Sequence, residues 1–184
     1  MFRIGYFFLA ALLFFSCQKE NQSTVKSIGD DKMEIKISSN AFGEGEMIPK
    51  KYTCDGEDIS PPLQFIDVPK ATKTLALICD DPDAPMGIWV HWVLFNLPGD
   101  MKELAEAIKS DNIEKMGAKQ GTNSFQKTDY GGPCPPGGTH RYFFKLYSLD
   151  CKLDLKTGIT KKQLLKSMEE HIVAKGQLMG KYSR

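Results

Sequence analysis

The stretch Thr74–Leu97, TLALICDDPDAPMGIWVHWVLFNL, holds the two apolar runs from which the fold class is read. Thr74–Cys79 (TLALIC) is short, apolar and bounded by turn residues, which fits a buried strand. Val90–Leu97 (VHWVLFNL) is a second such run. Between them lies D-P-D-A-P, residues 81–85. Pro82 and Pro85 fix φ at two positions and bias Asp81 and Ala84 toward extended geometry, so the connection is stiff.

The same kind of reading extends outward. Arg141–Leu149 (RYFFKLYSL) is a third, aromatic-rich strand, and Met33–Ser38 alternates with Ile35 and Ile37 on one face. Residues 40–70 are rich in Gly, Pro and Asp and read mostly as loops. One helix stands out near the end. Thr160 caps it and Gln163 completes a capping box. Leu164, Met168 and Ile172 recur every four residues with Leu165 alongside, and Gly176 offers a stop. A second helical stretch, Met101–Lys109, connects two strands. The sum is a mainly β domain, a sandwich with a terminal helix packed on one end.

Residues 1–17, MFRIGYFFLAALLFFSC, are of a different kind: a positive start at Arg3, an apolar run from Ile4 to Phe15, then Ser16 and Cys17. That is the layout of an export signal. The run is shorter than the about 20 residues of a membrane span. The segment resembles a bacterial lipoprotein signal, in which Cys17 would be lipidated and become the mature N-terminus. An ordinary cleaved signal and an uncleaved anchor are the alternatives. Residues 18–32 are polar and aperiodic and read as a tether, leaving 33–184 as one domain. The expected location is the bacterial cell envelope, with the domain held to a membrane through the lipid. Net charge is +1, and Arg3 is the leader's one charged residue, so the rest is formally neutral. A neutral domain without a basic stripe argues against nucleic acid as a partner.

The polar candidates cluster at strand ends, where loops converge. Asp81 and Asp83 follow one strand; His91 and His140 begin two others. Strict alternation puts His91, Val93 and Phe95 on one face and Val90, Trp92 and Leu94 on the other. Tyr130–Tyr142, YGGPCPPGGTHRY, packs four glycines and three prolines into residues 131–140 and delivers His140 and Tyr142 to one face of a strand, Arg141 to the other. Each segment has a bland reading: a Pro-rich turn, a hydrogen-bonded core histidine, a structural loop. Together they suggest one pocket. A metal site lacks any close ligand pair such as H-x-x-x-H. A hydrolase using Asp83 and His91 with Cys134 or Ser124 as nucleophile lacks a G-x-S-x-G elbow.

Five cysteines leave four if Cys17 is lipidated, and four allow three complete pairings. Cys79, within an apolar run, reads as a buried free thiol; Cys151 is left without an assignment. Cys54 and Cys134 both lie in Gly- or Pro-rich loops and are the favoured pair, without excluding the others. His171, near the end of the terminal helix, reads as structural.

DPDAP, the VHW strand, G-x-N-S-F (121–125), YGGPCPPGGTHRY and the terminal G-K-Y together resemble the phosphatidylethanolamine-binding protein family, in particular its bacterial YbhB/YbcL-like branch of Raf kinase inhibitor-like proteins. The resemblance covers residues 33–184 and implies an antiparallel Greek-key β-sandwich with a C-terminal helix. It also implies a small pocket for phosphate-like or carboxylate anions or phospholipid head groups. Asp81 and Asp83 match the family's pocket acids, His91 and His140 its histidines. Trp89, Gly132, Pro136 and Tyr142 match wall or rim positions, and Tyr182 is a looser match. The implied protein is a binder without cofactor or metal, in a regulatory or scavenging role. Inhibition of an exported peptidase or kinase-type partner is the alternative.

Overall fold

The computed structural model describes residues 33–184; the leader, Cys17 and the tether lie outside the described residues. Among the described residues nine strands and two α-helices follow one another. They are β1 (Met33–Glu34), β2 (Lys36–Ser38), β3 (Leu63–Ile66), β4 (Thr74–Asp81), β5 (Trp89–Pro98), β6 (Glu103–Leu104), α1 (Ser110–Lys115), β7 (Lys119–Gln120), β8 (Thr139–Leu149), α2 (Lys161–Met168) and β9 (Ile172–Ser183). The large sheet has the order β1-β9-β8-β4-β5-β7 and the small one β2-β3-β6. Every pair is antiparallel except β1 with β9.

The continuous apolar character of TLALIC has a direct cause: β4 is central and covered on both faces. Leu75, Leu77 and Cys79 join Trp92, Leu94, Tyr142 and Phe144 in a core shared with Ile35, Ile37, Leu63 and Phe65 of the segment that carries the small sheet. Ala76 and Ile78 join Val93, Phe95 and Leu149 on the other face, under Leu153 of the following loop and Leu164 and Met168 of α2. The capping box of α2 is present, with Thr160 and Gln163 exchanging hydrogen bonds. Asn96, at φ 58°, grips the covering loop through both its amide groups, donating to the Leu153 carbonyl and accepting the Leu153 N–H. Asp80 points to this side as well, its carboxylate fully buried between Lys145, 2.7 Å away, and Lys161.

Four sequence expectations change. The helix expected to run through Ile172 toward Gly176 ends at Met168; one tight turn, Glu169–His171, leads straight into the twelve-residue β9. β9 pairs with β8 from Thr139 to Leu149, so the chain ends in a strand. Its inward positions include Ala174, Gly176, Leu178, Gly180 and Tyr182, and two glycines and an alanine erase the period-two apolar signal. The glycines are required: a Cβ on Gly176 would stand 1.8 Å from the Ile35 carbonyl oxygen. Second, Met101–Lys109 is not helical. Glu103–Leu104 is paired with β3, Ala107 has φ 52°, and α1 begins only at Ser110. Third, the loop region 40–70 contains β3.

The fourth change concerns β5. Cys79 pairs with Trp92 but Asp80 pairs with Val90, so His91 is an extra residue in β5, a β-bulge. Val90 therefore packs with Val93 and Phe95 on the α2 side. His91 turns to the opposite side, to pack against Tyr142.

Cys54 and Cys134, 80 residues apart, form a disulfide; Cys79 is buried and free, and Cys151 is free and half-buried. Cross-linking such a long loop restricts the unfolded chain. Replacing both cysteines with alanine should lower the unfolding free energy by about 2–4 kcal/mol. Urea denaturation of the oxidised protein against the double variant measures this.

Candidate functional site

Asp81 ends β4 and carries the first polar anchor. Its Oδ1 accepts the Asp83 N–H at 2.7 Å and its Oδ2 lies 2.7 Å from His140 Nδ1. A carboxylate next to a ring nitrogen at that distance accepts its proton, so His140 is protonated at Nδ1. The contact is reached because β4 and β8 are paired and the alternation of β8 turns His140 to the face of Tyr142 and Phe144.

His91 is held differently. Its Nδ1 lies 2.7 Å from the Gly131 carbonyl oxygen, which only accepts, so Nδ1 again carries hydrogen. Burial pushes the His91 pKa below its usual value, although the Gly131 carbonyl and the Asp81 charge act in the opposite direction. The neutral ring is thus favoured, with a lone pair on Nε2. Tyr142 and Phe125 meet the His91 ring edge-on at 5.1 and 5.5 Å, which sets its plane. Among the described residues no well-aligned hydrogen bond is made by Nε2 of His91 or of His140.

Both rings line one cavity of about 290 Å³, together with Asp81, Ala84, Pro85, Met86, Trp89, Phe125, Cys134, Pro135 and Pro136. Three loops build its walls. In DPDAP, Asp83 turns away from the cavity and takes Arg141 in a bidentate grip, Oδ2 to Nε at 2.9 Å and Oδ1 to Nη2 at 2.7 Å, and also accepts the Arg141 backbone N–H. Hydrogen bonding from Arg141 lowers the Asp83 pKa to about 2 against the opposing effect of burial. The 123–127 loop is clamped by Asn123. Its Oδ1 accepts the N–H groups of Phe125 and Lys127, and its Nδ2 donates to the carbonyls of His91 and Asp129. Phe125 is thereby set edge-on to Trp89.

The Gly/Pro loop is tied to residues 50–58. Gly132 N–H donates to Asp58 Oδ1 at 2.7 Å, Cys54 N–H to the Pro133 carbonyl, Tyr130 hydroxyl to the Tyr52 carbonyl, and the disulfide adds a covalent tie. A Cβ on Gly132 would lie 2.5 Å from the Tyr52 carbonyl oxygen, so only glycine fits there.

Of the residues singled out in the sequence, Asp81, Trp89, His91, Pro136 and His140 line the cavity. Asp83, Gly132 and Tyr142 stand behind it: the first holds a loop, the second permits a close approach, the third supports His91. Burial holds the Tyr142 pKa above the ordinary tyrosine range, and its hydroxyl forms no well-aligned hydrogen bond. Tyr182 is further back, donating to Asp55 at 2.9 Å. Sequence reasoning missed the lining residues Phe125 and Met86. The G-x-N-S-F motif carried a signal for Phe125; nothing marked Met86, whose 91% exposure comes from its place in the loop.

The result is a β protein with one small cavity at the ends of its central strands, furnished with two imidazoles and walled by prolines and aromatics. A family model described as phosphatidylethanolamine-binding protein matches residues 38–183. A UPF0098 protein of Methanothermobacter thermautotrophicus is 48% identical over 150 residues, covering 82% of this chain and 99% of its own. One of Pyrococcus horikoshii is 46% identical over 160 residues, covering 85% and 80%. The crystal structure of a phosphatidylethanolamine-binding protein homologue from Chlamydia trachomatis superposes with a TM-score of 0.76 at 44% identity, covering 82% of this chain and 98% of that one. E. coli YbcL, described as a member of the mammalian family, gives 0.75 at 29% identity, covering 82% and 99%. The chain belongs to the phosphatidylethanolamine-binding protein family.

The Asp83–Arg141 clamp makes a pH-dependent contribution whose sign is fixed. The folded pKa, about 2, lies below the unfolded value of about 3.9. The contribution is therefore complete above the unfolded pKa and lost as pH falls from about 4 through about 2. The pair is partly exposed, so solvent screening limits it to the order of 1 kcal/mol. Asp83→Ala should be less stable than the parent at pH 6 and converge with it near pH 2, as measured by denaturant unfolding across pH.

Proposed function

We propose that the cavity binds a small anion, either a free phosphate or carboxylate or the phosphate of a phospholipid head group. We place the protein at the bacterial cell envelope in a binding, regulatory or scavenging role, held by lipid on Cys17. One observation carries the reading: His91 and His140 both line the cavity with Nδ1 committed to a protein acceptor, which leaves Nε2 of each for a ligand.

A protonated imidazole offers that ligand an N–H donor and a positive charge, and charge-assisted hydrogen bonds are the stronger kind. Both oxygens of Asp81 are already engaged, one by His140 and one by the Asp83 N–H, so it does not offer a free carboxylate to the cavity. His91 is held neutral by burial and needs a countercharge to take up a proton, which a bound anion supplies. Met86, fully displayed at the cavity, suits a ligand with an apolar part next to its head group.

Binding rather than hydrolysis is supported by the nucleophiles. Cys134 is in the disulfide, and the Ser124 hydroxyl accepts the Val90 N–H at 2.8 Å.

Acetate is a suitable probe because it stays ionised from pH 8 to pH 6. Its affinity should rise several-fold over that fall in pH, with proton uptake visible as a dependence of calorimetric enthalpy on the buffer. His140→Ala should weaken binding roughly ten- to hundredfold, the range for loss of a charge-assisted hydrogen bond. Equal affinity in parent and variant sinks the assignment. Turnover of a phosphoester by the parent, abolished in His91→Ala with binding retained, replaces binding by hydrolysis.

Mass analysis of the mature chain from a bacterial host tests the location. A diacylglyceryl-modified Cys17 at the N-terminus is expected; an unmodified terminus beyond it argues for simple secretion.

A further inference from the structure

A second chemical cluster lies at the opposite end of β8. Asp150 and Cys151 follow that strand directly, and His171 closes the turn that leads into β9. The two ends are held together by backbone: Leu149 pairs with Ile172, and the Asp150 N–H donates to the His171 carbonyl at 3.1 Å. Further ties come from the neighbouring strand, with Thr74 hydroxyl donating to the Cys151 carbonyl at 2.6 Å and Lys73 N–H to the Leu149 carbonyl at 2.8 Å. One donor atom from each of Asp150, Cys151 and His171 lies within 4.8 Å of the others, and His171 Nδ1 is 2.8 Å from Asp150 Oδ1.

We propose that Asp150, Cys151 and His171 form a three-donor site for a borderline-soft divalent cation, zinc before others, separate from the anion cavity. His140 and Asp150 are ten residues apart along an extended strand, roughly 30 Å.

The donor set favours this over a solvated ion pair. Carboxylate, thiolate and imidazole together suit zinc, whereas magnesium and calcium demand oxygen ligands. Bonds of about 2.0–2.3 Å in a tetrahedron put donors roughly 3.3–3.8 Å apart. The observed spacing, 4.8 Å or less, is close to that, and the backbone carrying the three donors is already tied by hydrogen bonds. The cation can get in: the side chains of Asp150 and His171 are 55% and 44% exposed. Cys151 is also the one thiol among the described residues that is neither in a disulfide nor fully buried. Three protein donors leave a fourth position for water. On binding, metal replaces the proton of the Cys151 thiol, which passes to solvent, while neutral His171 ligates through Nδ1 with its ring hydrogen on Nε2.

Cobalt(II) titration of the full, metal-free chain tests this with the protein in its native fold. The expected result is a sulfur-to-cobalt charge-transfer band that saturates at one equivalent and is erased by zinc. Cys151→Ser should lose the band, and His171→Ala should weaken zinc binding at least tenfold, with near-ultraviolet circular dichroism confirming that each variant is folded. His140→Ala should leave the band intact. The proposal falls if the parent shows no band at millimolar cobalt, a result that needs no variant to fold. It falls equally if the band survives Cys151→Ser or disappears with His140→Ala.

Discussion

Strand β4 is hydrogen-bonded to β5 on one edge and β8 on the other, and all eight of its residues are buried. Its side chains are almost wholly withdrawn from water, so each polar group it carries needs a partner inside the protein. The two adjacent acids at its end meet that demand in opposite directions. Alternation sends Asp80 to the α2 side, where Lys145 and Lys161 neutralise it. It sends Asp81 to the other side, where His140 and the Asp83 amide do so. The first pairing fastens the helix to the sheet. The second fixes a histidine and the turn of the DPDAP loop. Fold and site thus share one element, and a change in the register of β4 would expose both acids to the wrong surroundings.

The bulge at His91 completes the arrangement. A regular strand would place His91 with Val93 and Phe95, in the apolar layer under α2 and away from the cavity. One extra residue in β5 turns His91 to the cavity side and Val90 to the α2 side, while Trp92, Leu94, Val93 and Phe95 keep their alternation. Bulges are suited to re-aiming a single side chain. The sequence pattern W-V-H-W shows a polar residue out of phase, yet a bulge leaves no period of its own to read, so alternation alone put His91 on the wrong face.

What could be read in advance follows from the same physics. β4, β5 and β8 were legible because large apolar side chains occupy nearly every inward position. The start of α2 was legible because a capping box is a local interaction. β9 was not, because the Ile35 backbone crowds Gly176 and the Ile48 and Phe42 side chains crowd Gly180, which demands glycines where the pattern would need apolar residues. Asp83 and Gly132 illustrate a further limit. Both belong to site motifs, yet one reaches Arg141 and the other Asp58, contacts set by chain segments far away in sequence. Motif and chemistry identify a neighbourhood; which residue faces the cavity is decided by the loops that fold over it.

The two histidines are anchored by unequal partners, and the inequality bears on what the cavity can favour. Asp81 offers a carboxyl group to His140; the Gly131 carbonyl offers only a peptide dipole to His91. A neutral ligand would find the His91 ring as a hydrogen-bond acceptor and would gain nothing from protonating it. An anion brings the missing charge with it, so the second histidine becomes a donor only in the complex. Discrimination on the proposed reading therefore rests on the cost of charging a buried ring, a cost that the burial of His91 keeps high until the ligand itself offsets it.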